Sequence, residues 1–183
     1  MIKVSLVIST YNWKEALYLS LLSVSRQTLL PYEVIIADDG SRQDTTEMIN
    51  QIKPHLPFRL KHIWQEDKGF RKTIVLNKAF AVCEGNYIVQ IDGDIILNRH
   101  FIADHVSEAR PGYYVHGSRG KFSQALTDKF LREKDYHFSF FSEGVHRKLN
   151  ILRCPLLTIF FYYYKKNKKE RGCNMAFWKK DVF

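Results

Sequence analysis

The sequence predicts an α/β fold, a mostly parallel sheet sandwiched by helices. Three observations carry this. Apolar, mostly β-branched runs at residues 4–9, 33–37, 58–64 and 86–91 read as buried strands. Segments with helical spacing of apolar residues lie between them, and that alternation is the signature of strands laid side by side in one direction. Three of the runs end in polar or acidic clusters, Thr10-Tyr11-Asn12, Asp38-Asp39-Gly40-Ser41 and Asp92-Gly93-Asp94. Ligands of such sheets sit beyond the carboxyl ends of the strands.

Taken in order, the strand at 4–9 is followed by Asn12 and, three residues on, Glu15, the spacing of a capping box that starts a helix at Trp13. Trp13, Leu17, Leu21 and Val24 share one face of that helix, which ends near Gln27, and Pro31 interrupts the chain. Ser41 and Asp44 give a second start signal, and Thr45, Met48, Ile49 and Ile52 form the apolar stripe of the next helix. Pro54 and Pro57 close it. A third helix over 71–83 buries Leu76, Ala79, Phe80 and Cys83 and stops at Gly85. Beyond Asp94 the pattern predicts a helix over 102–109, a strand over 112–117, helix and loop over 122–149, and a last strand over 172–178.

Composition narrows the class. The 183 residues suit one domain, and 45% hydrophobic with 26% charged residues excludes a wholly disordered chain. The net charge of +9 favours anionic partners without choosing among nucleotides, phosphorylated lipids, acidic glycans, membranes and nucleic acid. Cys83, Cys154 and Cys173 are odd in number and widely spaced, which fits a reducing compartment. Met1-Ile2-Lys3 leads straight into a strand with no leader pattern, and no apolar run reaches the roughly 20 residues of a membrane span.

The chemistry centres on Asp92-Gly93-Asp94. Two carboxylates one residue apart at the mouth of an apolar strand place hard oxygen ligands where Mg²⁺ or Mn²⁺ can meet a diphosphate. The plain alternative is a turn, for which Asp and Gly are the usual residues. At Asp38-Asp39-Gly40-Ser41 a carboxylate can accept the N3–H of a uracil or bind a ribose hydroxyl while Ser41 caps a helix; which aspartate binds stays open. Tyr11 can stack on a base beside Thr10 and Asn12, and Arg71 or Lys72 can neutralise a diphosphate, against readings as a helix cap and a solvated loop. His100 and His105 are weaker metal candidates, since a lone histidine near a helix is more often structural. Lys165-Lys166-Asn167-Lys168-Lys169 reads as a solvated face, but beside Phe160-Phe161-Tyr162-Tyr163-Tyr164 it also fits an anionic membrane surface.

Residues 4–12, Gln27, Asp38-Asp39-Gly40-Ser41 with Asp44, Gly69 and Asp92-Gly93-Asp94 together resemble the GT-A glycosyltransferases of family 2. Gln65-Glu66-Asp67-Lys68-Gly69-Phe70-Arg71-Lys72 with Asn77 and Lys78, and Arg171-Gly172-Cys173-Asn174-Met175-Ala176-Phe177-Trp178, are similar to bacterial enzymes that build lipopolysaccharide cores, capsules and other surface glycans. The resemblance implies a single GT-A domain, with a nucleotide-sugar half at 1–97 and a partial acceptor half at 98–183. It implies inverting transfer from a UDP-linked sugar to a glycan or glycolipid hydroxyl, in the cytoplasm at the inner face of a bacterial membrane. Thr10, Tyr11, Asn12 and Asp38 or Asp39 would hold uridine. Asp94 and Asp92 would hold Mg²⁺ or Mn²⁺ against the diphosphate, Asp92 also reaching the ribose or sugar, with Arg71 and Lys72 assisting. Family members carry a general base on a helix after the last strand; Asp181 does not match its position. The expectation is therefore a C-terminally incomplete domain with the base beyond Phe183.

Two other classes compete. A nucleotidyltransferase also pairs an α/β sheet with carboxylates and Mg²⁺, but Ser9-Thr10-Tyr11-Asn12 is not its Gly-rich phosphate loop. A non-catalytic module for membrane or nucleic-acid surfaces explains the charge, but not aspartates gathered at strand ends, which repel phosphate. Nucleic acid is therefore not expected as a partner.

Overall fold

The computed structural model describes residues 1–153 and 173–182. β1 (Val4–Thr10), α1 (Lys14–Ser25), β2 (Glu33–Asp38), α2 (Gln43–Ile52), β3 (Arg59–Trp64), α3 (Lys72–Ala81) and β4 (Tyr87–Asp92) alternate as predicted. There follow α4 (Phe101–Ser107), β5 (Val115–His116), β6 (Lys121–Phe122), α5 (Gln124–Glu133), β7 (Val145–His146) and β8 (Asn174–Trp178). The main sheet has the order β3-β2-β1-β4-β8-β5. Its first four strands pair in parallel, and β8 runs antiparallel to both β4 and β5.

Alternation along the buried strands builds two cores. Leu6, Ile8, Val34, Ile36, Val89 and Ile91 face one side, packed with Leu17, Leu21 and Val24 of α1, Ile49 of α2 and Ile102 of α4. Val7, Ile35, Ala37 and Ile88 face the other, packed with Val75, Leu76, Ala79 and Phe80 of α3. Burial on both faces explains the continuous apolar runs in the sequence.

The start of α1 differs from expectation. Its N-cap is Trp13, with no side-chain capping bond, and Asn12 sits at φ +48°. The Asn12 side chain instead accepts from the Arg42 N–H at 2.9 Å, and the Asn12 N–H donates to Ser41 Oγ at 2.9 Å. Ser41 is thereby used as well, and α2 starts after Arg42 with no side-chain cap. The two loops bridge each other in place of capping their own helices. A missing cap costs about 1 kcal/mol, whereas each fully buried Leu or Val of α1 contributes roughly 1.5–3 kcal/mol. Packing therefore holds α1.

Other differences are small. The expected strand at 112–117 is reduced to two residues, and the stretch expected as helix and loop also holds the β6–β7 pair. Two-residue strands are too short to show alternation. Phe160-Phe161-Tyr162-Tyr163-Tyr164 and Lys165-Lys166-Asn167-Lys168-Lys169 lie outside the described residues, as does Cys154.

One buried charge braces the sheet at the end opposite the polar clusters. Glu33 has no exposed surface; its Oε1 accepts from Ser5 Oγ at 2.6 Å and from the Glu84 N–H at 2.5 Å, and Lys61 Nζ lies 2.8 Å from Oε2. Burial alone would push this carboxyl up, but the bonds from Lys61, Ser5 and Glu84 together outweigh it and hold it below the usual range. At the other end Gly40, at φ +99°, lies where a Cβ would come within 2.6 Å of the Asp67 backbone.

Two outcomes are expected in urea denaturation. Glu33→Ala should lose about 2–3 kcal/mol at pH 7, because it leaves buried donors without an acceptor. The native carboxyl is depressed, so this stabilisation is present above the unfolded value of about 4.3 and disappears as pH falls through the native value. A loss that does not change with pH would rule out a role for the charge. Gly40→Ala should cost about 1–3 kcal/mol through backbone strain and displacement of the loop at Asp67; unchanged stability would show that the loop yields freely.

Candidate active site

Register brings the three polar clusters together. Thr10 on β1 pairs with Asp38 on β2, and Ser9 on β1 pairs with Asp92 on β4. The chain moves outward from β1 through β2 to β3, then returns to place β4 on the other side of β1. The carboxyl ends of β1 and β4 thus form a topological switch point, where α/β sheets bind ligands.

The β2 end is a braced acidic pair. Asp38 has no exposed surface; its Oδ1 accepts from the Ser41 N–H at 2.8 Å, and its Oδ2 lies 2.9 Å from His62 Nε2. Asp39 is 6% exposed; Gln65 Nε2 donates to its Oδ1 at 2.6 Å and the Arg71 N–H to its Oδ2 at 2.9 Å. Gln65 also donates to the Arg71 carbonyl at 3.2 Å and accepts from Lys78 Nζ at 3.1 Å. Asp39 therefore fixes the start of α3, where the two cations Arg71 and Lys72 stand side by side.

The β4 end is more open. Asp92 is half-buried and Asp94 exposed. Ser9 Oγ donates to Asp92 Oδ1 at 3.1 Å, and the Lys72 ammonium pairs with the same oxygen. The Gly93 N–H donates to the Ser9 carbonyl at 2.7 Å, and a Cβ on Gly93 would lie only 3.0 Å from that oxygen. Gln27 ties down the loop that follows, donating to the Asn98 carbonyl at 2.8 Å and accepting from the Ile102 N–H at 3.1 Å.

Of the residues singled out in the sequence, Thr10, Asp38, Asp39, Arg71, Lys72 and Asp92 join this network directly, and Asp94 follows two residues past Ser9's partner. Tyr11 is half exposed, and its hydroxyl donates to Asp67 Oδ2 at 2.9 Å. That bond, with the Asp67 charge, raises the phenol above its ordinary value. Asn12 bridges to the β2–α2 loop. Asp38 is enclosed as an internal brace, so Asp39 is the member of the pair that keeps any accessible surface. His105 is buried against Asn174 and the Phe101 ring, and burial pushes it down; His100 lies 3.2 Å from Thr28 Oγ1. Each ring thus has a hydrogen-bond partner within the protein. Among the described residues no three His, Cys, Asp or Glu side chains cluster as a metal cage. Ser9, His62, Gln65 and Lys78 are members of the network that the sequence reading passed over as site residues. Position marked Ser9, at the end of β1, and His62, on β3, whereas Gln65 and Lys78 stand among the residues that carry the family resemblance.

Among the described residues no helix is long and apolar enough to cross a membrane. The sequence is 29% identical over 137 residues to a chondroitin synthase of Escherichia coli, a match covering 69% of this chain and 20% of that protein. It is 33% identical over 91 residues to the E. coli UDP-Glc:alpha-D-GlcNAc-diphosphoundecaprenol beta-1,3-glucosyltransferase WfaP, covering 50% of this chain and 35% of that one. The chain thus spans about a third or less of the length of these curated relatives. The fold matches that of a mannosyltransferase from Pyrobaculum calidifontis, solved in complex with GDP-Man and Mn²⁺, with a TM-score of 0.57 and 21% identity over 64% of this chain and 36% of that one. The sequence model of glycosyl transferase family 2 matches residues 5–177. With a GT-A-like sheet and that match over nearly its whole length, the chain belongs to glycosyl transferase family 2.

Proposed function

We propose that this chain binds a UDP-linked sugar and, within the protein to which it belongs, transfers the sugar with inversion to a hydroxyl of a glycan or glycolipid acceptor in surface-polysaccharide synthesis. The observation that carries the reading is the convergence of the β1, β2 and β4 ends at the switch point. Asp39 supplies an acceptor for a ring N–H of the base, which uracil N3–H and guanine N1–H both offer. The relative named above takes UDP-Glc, and on that likeness uracil is the base of choice. Tyr11 offers a face for the base, and the Thr10 to Asn12 loop borders it.

Asp94 and Asp92 fit a divalent cation, Mg²⁺ or Mn²⁺, by their chemistry. They are hard carboxylate oxygens one residue apart, and one of them already carries a cation, the Lys72 ammonium. When bound, such an ion neutralises charge that develops on the diphosphate as the sugar departs. Ser9 orients Asp92 for this, and Arg71 with Lys72 brings positive charge to the same crevice. The fold neighbour solved with GDP-Man and Mn²⁺ supports the metal.

The acceptor side carries a different signal. Residues 1–97 hold 11 basic and 11 acidic side chains, whereas residues 98–183 hold 17 and 8, a difference of 9 that is the whole net charge. An anionic acceptor, such as a phosphate-bearing glycolipid, and an anionic membrane face both match that half. Exposed Phe141, Leu149 and Leu152 beside Arg147 and Lys148 suit peripheral contact with lipid.

In thermal shift, UDP with Mn²⁺ should stabilise the chain more than the sum of the two alone, and more than GDP with Mn²⁺. Asp94→Ala should remove the metal-dependent part while leaving the ligand-free melting temperature within about 2 °C. A metal-dependent shift that survives in Asp94→Ala refutes the metal assignment. For the basic half, co-sedimentation with vesicles should require anionic lipid and fall with salt; equal binding to neutral vesicles would refute the electrostatic membrane contact.

A further inference from the structure

The strongest feature that the proposed chemistry does not account for is the cation already seated at its acidic centre. Lys72 opens α3, directly after Arg71, whose N–H is pinned to Asp39. From there its ammonium reaches across the crevice to Asp92 Oδ1, the oxygen that also accepts from Ser9. Both side chains are about one quarter exposed, 28% for Lys72 and 26% for Asp92. The pair is therefore screened less than a surface ion pair. Among the described residues Asp94, two residues further on, has no ion pair. The β2 end and the β4 end of the site are thus joined by one salt bridge, through the start of α3.

We propose that Lys72 is a built-in counter-cation that couples metal binding to nucleotide binding. With no ligand bound, its ammonium holds Asp92 and keeps a divalent ion from binding by itself. When nucleotide and metal arrive together, Lys72 moves from the carboxylate to the diphosphate. This rests on the nucleotide-sugar reading above and adds to it the order in which charge enters the site.

Charge balance gives the reason. Asp92, Asp94 and Lys72 sum to a single negative charge. A divalent ion alone would turn that into a single positive charge, in a site that also holds Arg71. A diphosphate diester, as in a nucleotide sugar, would alone make it three negative charges, and UDP, whose terminal phosphate bears a further charge, more. Metal and diphosphate together restore the single negative charge of the empty site. Each ligand alone is therefore disfavoured and the two favour each other, which is positive coupling. Without Lys72 the metal would meet both carboxylates with no ammonium to displace, so it would bind better by itself, and nucleotide would lose the part of its effect that comes from drawing Lys72 off Asp92. The flexible four-carbon stem of lysine suits a group that changes partner.

The test is Mn²⁺ binding to the chain followed by electron paramagnetic resonance, with and without UDP and with no acceptor or turnover. In the unmodified chain UDP should tighten Mn²⁺ at least ~5-fold. In Lys72→Met, Mn²⁺ alone should bind several-fold more tightly and the enhancement by UDP should fall to less than about half of its value in the unmodified chain. Lys72→Arg, which keeps the charge, should restore weak binding of Mn²⁺ alone. Ligand-free melting curves of each variant identify any that fail to fold; should Lys72→Met be one of them, Lys72→Gln, which removes the charge but keeps a polar side chain of similar reach, should show the same tighter Mn²⁺ and smaller UDP enhancement. If Lys72→Met, or Lys72→Gln where Lys72→Met does not fold, matches the unmodified chain in both Mn²⁺ affinity and UDP enhancement, the coupling role is overturned. If the unmodified chain binds neither Mn²⁺ nor UDP, the donor-binding reading itself falls, and the role of Lys72 with it.

Discussion

The parallel register of β1 with its two neighbours fixes where every acidic group of the site lies. All seven residues of β1 are buried, and its pairings set Thr10 beside Asp38 and Ser9 beside Asp92. A slip of one residue would turn Leu6 and Ile8 away from the α1 side of the sheet and Val7 away from α3. Two apolar cores therefore hold the register, and the register holds the crevice. The chemistry at the strand ends depends on hydrophobic contacts about 3–13 Å below it, at about 3.3 Å of strand per residue.

Above that base the carboxylates divide into two kinds. Glu33 and Asp38 are wholly enclosed and have their oxygens engaged by the chain itself. They work as polar pins, one at each end of β2. Asp39 is intermediate, since it fixes the β3–α3 loop and the backbone of Arg71 while keeping a sliver of surface. Asp92 and Asp94 face outward at the switch point. Burial and hydrogen bonding thus rise from β4 toward β2, and the freedom to meet a ligand rises the other way. A rigid acidic wall opposite a more open one is a sound arrangement for holding a base on one side and a diphosphate on the other.

The sequence was most legible where one signal dominated. Long apolar runs with alternating helices gave the order β1 to β4, and polar or acidic clusters after the first, second and fourth runs marked the strand ends. It was least legible where side chains choose between local and distant partners. Asn12-Trp13-Lys14-Glu15 has the spacing of a capping box, yet Asn12 bonds to Arg42 because the β1 and β2 loops lie side by side, a proximity that exists only after folding. The choice between Asp38 and Asp39 was open for the same reason, since His62 and Gln65, which engage them, come from β3 and the turn after it. β5, β6 and β7 are two residues each, and no period can be read from two residues. The antiparallel direction of β8 likewise leaves no mark on its composition.

The place of β8 has a consequence for biosynthesis. It lies between β4 and β5, yet it is made last of the three. From Asp92, where β4 ends, to Asn174, where β8 begins, the chain must grow by 82 residues. At about 5–20 residues per second that is roughly 4–16 s of translation. Throughout that interval the outer edge of β4, apolar at Ile88, Val89 and Ile91, has no strand beside it on the nascent chain. An unpaired edge of this kind is the usual template for wrong pairing. The half of the molecule that holds the acidic crevice is thus complete in sequence well before its sheet is closed, and the emerging polypeptide is most exposed to aggregation, and to chaperones, during that interval.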